Sequence, residues 1–113
     1  MKIYHNPRCT KSRQTLQLIE NAGQDVQVIE YLKTPPTADE LKSLLNLLGM
    51  KPEQLLRKNE AVFKEQFKGK SFTDDEWINI MIEHPKLIER PIVVQGDKAV
   101  LGRPPENVNA LLS

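Results

Sequence analysis

Residues 2–31 read KIYHNPRCTKSRQTLQLIENAGQDVQVIEY, and this stretch holds a strand, a helix and a second strand in that order. Lys2 to His5 is a brief strand candidate that ends at the turn-forming pair Asn6 and Pro7. From Ser12 the apolar spacing becomes helical: Leu16, Ile19 and Ala22 fall on one face, and Gly23 stands where a helix C-terminal glycine belongs. Asp25 to Tyr31 is rich in β-branched residues and predicts the second strand. A strand–helix–strand unit closes right-handed with its strands parallel. Cys9 therefore lies in the turn that feeds the helix.

Beyond Tyr31 the chain breaks at Thr34-Pro35-Pro36, and Thr37 with Glu40 forms a capping box for a helix through Leu41, Leu44, Leu45 and Leu48, stopped by Gly49. Pro52 suits a first helical position, and Glu53 to Phe67 carries Leu56, Phe63 and Phe67 on a broken period, which predicts two short helices meeting near Arg57. A second capping box, Thr73 and Glu76, opens a helix through Trp77, Ile80 and Met81 that ends near His84 because Pro85 follows. Pro91 to Val94 and Lys98 to Leu101 read as an antiparallel pair joined at Gly96 and Asp97, and Pro104-Pro105 opens a last helix with Val108, Leu111 and Leu112. The order βαβ, helices, ββα predicts an α/β fold with a mixed four-stranded sheet and helices on its faces. Residues 37–84 read as an all-helical insertion.

At 113 residues the chain is sized for a single domain spanning 1–113. A hydrophobic share of 39% beside 27% charged residues is enough for a core without metal or disulfide staples. Sixteen basic against fifteen acidic residues leave a net charge of +1, which argues against a nucleic-acid partner held by bulk electrostatics. Any anion must be held by a few placed side chains. The single cysteine, Cys9, excludes an intramolecular disulfide and a multi-cysteine zinc site, so redox chemistry needs an outside thiol. Neither an apolar signal core nor a membrane-span-length apolar run occurs, and a free thiol points to the cytoplasm, without membrane association. Nothing calls for a bound metal or organic cofactor, and the balanced surface points to a monomer.

The segment His5-Asn6-Pro7-Arg8-Cys9-Thr10-Lys11-Ser12-Arg13 sets the only thiol between a strand end and a helix N-terminus. Unpaired N–H groups there favour an anion and lower the thiol pKa; Arg8, Lys11 and Arg13 push the same way, and His5 adds charge or a hydrogen bond if it folds back over the loop. A lone cysteine is usually a small buried hydrophobe, but these polar, basic surroundings favour a nucleophile. A Cys-x-x-Cys pair would need a cysteine where Ser12 stands, and a phosphatase-like loop an arginine where Thr15 stands. An oxyanion would then need arginines from elsewhere, and Arg57, Arg90 and Arg103 are the candidates, each offering a bidentate fork. Trp77 and Met81 read as core, and His84 as a helix-terminal residue.

Five ordered motifs then combine: His5-Asn6-Pro7-Arg8-Cys9, Tyr31-Leu32-Lys33-Thr34-Pro35-Pro36, Leu55-Leu56-Arg57-Lys58, Glu89-Arg90-Pro91-Ile92-Val93-Val94 and Gly102-Arg103-Pro104-Pro105-Glu106. Together they resemble the glutaredoxin-coupled arsenate reductase family from the first strand to the last helix. Thr10-Lys11-Ser12 after Cys9 and the end of the chain at Ser113 make it most similar to the short, arsenate-reductase-related branch. The resemblance implies a thioredoxin-like domain with a helical insertion, Cys9 as nucleophile, His5 tuning it, and Arg57, Arg90 and Arg103 binding the oxyanion. It also implies arsenate as substrate, glutathione as co-substrate and glutaredoxin as partner. Two alternatives stand beside it. Cys9-x-x-Ser12 also fits a general glutathione-linked monothiol oxidoreductase acting on mixed disulfides. A redox-related transcription regulator ranks last, because Ser12 removes the second cysteine of such a switch.

Overall fold

A computed structural model describes residues 1–112; Ser113, the last residue of the domain read from the sequence, lies outside them. The elements run β1 (Lys2–His5), α1 (Thr10–Asn21), β2 (Gln27–Glu30), α2 (Ala38–Leu48), a 3-10 turn (Pro52–Leu55), α3 (Ala61–Gln66), α4 (Asp74–Glu83), a second 3-10 turn (Pro85–Leu87), β3 (Ile92–Gln95), β4 (Lys98–Leu101), a third 3-10 turn (Pro105–Val108) and α5 (Asn109–Leu112). They divide into two units, Met1–Thr34 with Arg90–Ser113, and Pro35–Glu89.

In the first unit the strands form one sheet in the order β2-β1-β3-β4, with β1 parallel to β2 and antiparallel to β3. This is the mixed, thioredoxin-like α/β sheet expected from the sequence. Ile3 sits opposite both Val28 and Val93, and a core of Ile3, Ile19, Val93, Val108 and Leu111 joins the sheet to α1 and the C-terminal turns. Tyr4 and Ile92 are buried as well, so the two central strands have both faces covered. Each such side chain contributes about 1.5–3 kcal/mol on burial.

The boundaries differ from expectation for local reasons. β2 is four residues long because it pairs residue for residue with β1, Lys2 to Gln27 through His5 to Glu30. β3 starts after Pro91, which has no N–H to give a ladder. The last helix opens as a 3-10 turn in which the Asn107 N–H donates to the Pro104 carbonyl at 3.0 Å. Helix α1 begins at Thr10, two residues before Ser12. Asn6 explains this: its side-chain oxygen accepts from the Arg8 N–H, and its carbonyl accepts from the Cys9 N–H, each at 3.0 Å. The turn is thus complete at Cys9, which becomes the helix N-cap.

In the second unit both capping boxes form. Thr37 Oγ1 accepts from the Glu40 N–H, and Thr73 Oγ1 from the Glu76 N–H, each at 3.2 Å, with both glutamates reaching back. Gly49 ends α2 at φ +66°, a left-handed conformation that glycine adopts without steric cost. Phe63, Phe67 and Phe72 surround Trp77. The broken period between Glu53 and Phe67 has a long-range cause. Leu56 pairs with Ile88 in an isolated antiparallel bridge, so the Arg57 N–H donates to the Leu87 carbonyl and the Glu89 N–H to the Leu55 carbonyl, both at 2.8 Å. No described helix is long and apolar enough to cross a membrane.

Candidate active site

Cys9 owes its position to both ends of the loop that carries it. β1 delivers His5 and Asn6, and α1 starts on the next residue after the thiol. The Arg13 N–H donates to the Cys9 carbonyl at 3.0 Å as the first helical bond, and the Arg13 side chain donates to the Pro7 carbonyl at 3.1 Å. Ser12 is fully buried beneath the loop. Its Oγ accepts from the Asn6 N–H at 3.0 Å and lies 2.6 Å from His5 Nδ1. His5 thus does fold back over the loop, and it does so through Ser12.

Two arginines arrive from the other end of the same unit. Arg103 Nη1 lies 3.8 Å from Cys9 Sγ and 3.2 Å from the Arg90 carbonyl oxygen, to which it donates. The Arg90 side chain hydrogen-bonds the thiol and faces it as a positive charge. The Arg90-Pro91 and Arg103-Pro104 peptide bonds are both cis. Asn107 Nδ2 donates to the Leu101 and Arg103 carbonyls at 3.1 and 3.2 Å, and the Gly102 N–H to the Pro91 carbonyl at 2.9 Å, so the segment carrying Arg103 is fixed at several points.

Burial pushes the Cys9 thiol up, but the Ser12 N–H, the hydrogen bond and charge of Arg90, and the Lys11 N–H outweigh it, and the pKa falls below the ordinary thiol value. Burial lowers the His5 pKa; Glu30 opposes this and Arg13 adds to it. The imidazolium is disfavoured, so of the two contributions expected from His5 it is the hydrogen bond that forms. Alkylation of Cys9 by iodoacetamide requires the thiolate. Its rate should therefore reach a plateau at lower pH than for an unperturbed cysteine, and Arg90→Ala, which removes a donor and a charge, should move the midpoint upward. An unchanged midpoint would mean that Arg90 does not hold the thiolate.

Arg57 belongs to the Pro35–Glu89 unit. Its Nε donates to Glu60 at 3.2 Å and its Nη1 to Glu89 at 2.8 Å, both half-shielded from solvent. Sequence reasoning did not single out either glutamate: Glu89 reaches Arg57 only because of the bridge between Leu56 and Ile88. It read Ser12 as the place of a missing second cysteine or the serine of a monothiol motif, and Thr15 as the place of a missing arginine, and gave neither a supporting role in the site. Thr15 is fully buried and donates to the Lys11 carbonyl at 2.8 Å, with the Gly102 carbonyl at 3.4 Å.

Gly102 is the spacer in this packing. A Cβ there would lie 2.6 Å from Thr15 Oγ1 and 2.7 Å from Pro91 Cγ. Gly102→Ala should cost about 1–3 kcal/mol by overpacking, read as a drop in Tm, and should displace the adjacent Arg103. An unchanged Tm would mean that α1 and the Arg103 segment give way freely.

A polarised thiol under two guanidinium groups can attack a tetrahedral oxyanion while its charge is offset. Among the described residues no cluster of three or more histidine, cysteine or acidic side chains could hold a metal. The family model described as ArsC matches residues 4–111. Among curated relatives, an Escherichia coli K12 protein named uncharacterized protein YfgD is 47% identical over 96% of this chain and 92% of its own. An arsenate reductase of the same organism is 47% identical over 97% of this chain and 79% of its own. The solved structure of an arsenate reductase from Vibrio cholerae is 50% identical, superposes with a TM-score of 0.92 and covers 97% of each chain.

Proposed function

Because the chain belongs to the ArsC family, we propose that it is a thiol-dependent oxidoreductase that reduces arsenate to arsenite, with Cys9 as the nucleophile. The observation that carries the reading is the Cys9 sulfur at the start of α1, lowered in pKa and faced by the Arg90 and Arg103 guanidinium groups. The thiolate attacks arsenic, a sulfur–arsenic bond forms, and one oxygen leaves as water. Glutathione thiolate then attacks the Cys9 sulfur. A disulfide forms, the electron pair of the sulfur–arsenic bond stays on arsenic, and arsenic(V) leaves as arsenite. A glutaredoxin thiol then attacks the glutathione sulfur of the mixed disulfide and restores Cys9, and a second glutathione takes the glutathionyl group from glutaredoxin as glutathione disulfide.

Arg90 and Arg103 bind the oxyanion in this scheme, Arg57 is the third arginine with its guanidinium set by Glu60 and Glu89, and His5 tunes Cys9 through Ser12. The chain works in the cytoplasm as a monomeric single domain, with 37–84 as its helical insertion. It needs no bound cofactor, since glutathione supplies the electrons. The test is NADPH oxidation in the presence of arsenate, glutathione, glutaredoxin and glutathione reductase. Turnover that needs both arsenate and glutaredoxin is expected. Activity on a glutathionylated peptide that arsenate does not compete with, and none on arsenate, would replace this reading with that of a general monothiol oxidoreductase.

A further inference from the structure

The Pro35–Glu89 unit has a cavity of about 420 Å³ that the chemistry of Cys9 does not use. Its volume falls within the range of small-molecule sites. Lys58, Lys64, Lys68 and Lys70 line it, against a single acidic residue, Glu53. Among the described residues none of these four ammonium groups makes an ion pair. Four ammonium groups around one hollow, with a single carboxylate among them, give it a positive potential that favours an anion. The wall behind them is aromatic, made by Phe63 and Trp77. Trp77 is 3% exposed, and its Nε1–H is a buried donor with no acceptor. An unmet buried donor is uncommon and calls for an explanation.

The lysines owe this arrangement to a tight turn. After α3 the Lys68 N–H donates to the Phe63 carbonyl at 2.9 Å and the Lys70 N–H to the Phe67 carbonyl at 3.1 Å, with Gly69 between them at φ +78°. The backbone thus wraps two lysines around the aromatic residues. Lysine supplies compact point charges with three donors each, the form suited to phosphate oxygens.

From the cavity, its unpaired lysines and the aromatic wall behind them, we infer that this pocket binds a small, multiply charged phosphate-bearing anion. Trp77 is the only tryptophan in the chain, so its fluorescence reports on the site directly. Inorganic pyrophosphate is the probe, titrated at constant ionic strength with sodium chloride as the control. A saturable change in emission is expected. Lys64 sits in the last turn of α3, where a cation also favours the helix, so Lys68→Gln/Lys70→Gln is the cleaner variant. Losing two charge-assisted contacts should weaken the midpoint at least about tenfold. Arsenate turnover without pyrophosphate should be unchanged, since neither lysine is part of the Cys9 machinery.

Pyrophosphate could also meet the arginines near Cys9, so Arg103→Ala is titrated alongside and should respond as wild type does. The inference is overturned by an emission change that sodium chloride reproduces, by no saturable change, by a midpoint that the double lysine variant leaves in place, or by loss of the response in Arg103→Ala. It stands or falls separately from arsenate reduction, because its readout is binding.

Discussion

Cys9→Ser is expected to lower arsenate turnover by about 10⁴-fold or more, to the background of the assay. The N–H groups of Lys11 and Ser12 and the Arg90 guanidinium favour a thiolate, but they cannot ionise a serine hydroxyl near neutral pH. A hydroxyl also cannot form the disulfide with glutathione on which release of arsenite depends. The loss should come without unfolding. Cys9 is only partly buried and serves as the N-cap of α1, a position that serine fills well, so the variant should melt at or above the wild-type temperature. The chain has no other cysteine to substitute for it. Turnover comparable with wild type in the serine variant would therefore end the covalent thiol mechanism.

What the sequence disclosed about the fold followed from how local each signal is. The capping boxes at Thr37 and Thr73, the Gly49 stop and the Gly96-Asp97 hairpin are set by residues within a few positions of one another, and each is present where expected. The pairing of β1 with β3 is not local, and the sequence marked the two strands separately, β1 by the Asn6-Pro7 turn that ends it and β3 by its hairpin partner across Gly96 and Asp97. The bridge from Leu56 to Ile88 left only a disturbance in the helical period, because its partner lies far along the chain and is a single residue pair. The early start of α1 was hidden for a different reason. It depends on the Asn6 side chain closing the preceding turn, and the apolar period becomes visible only once the helix has made a full turn.

The site was legible where chemistry is carried by residue type. A thiol at a strand-to-helix turn among basic residues pointed to Cys9, and arginines flanking proline pointed to Arg90 and Arg103, which the fold brings to the same sulfur. Supporting groups were not legible, since serine, threonine and glycine have many uses and nothing in their spacing marks this one. Ser12 shows the difficulty. From the sequence it is a missing cysteine or the end of a monothiol motif, whereas in the structure it is the buried hydroxyl that ties His5 and the Asn6 N–H to the loop under the thiol.

The two arginines near Cys9 differ in what they hold, and that difference carries the second large expected effect. Arg90 contributes both a hydrogen bond and a charge to the lowered thiol pKa. The contact of Arg103 with the sulfur is long, at 3.8 Å, and the same Nη1 donates to the Arg90 carbonyl at 3.2 Å. Its guanidinium thus stands beside the sulfur, where an oxyanion attached to Cys9 would meet its planar fork. Arg103→Ala should then lower kcat/KM for arsenate by about 10²–10³-fold, the usual cost of removing a donor to developing negative charge. The pH midpoint of Cys9 alkylation should move less than in Arg90→Ala, whose hydrogen bond and charge both lower the thiol pKa. Arg103→Lys should recover only part of the loss, because an ammonium group gives a point charge where the guanidinium gives a planar fork. If Arg103→Ala instead moves the alkylation midpoint as far as Arg90→Ala does, with turnover falling only in proportion to the lost thiolate, then Arg103 stabilises the nucleophile and the oxyanion is held by other groups.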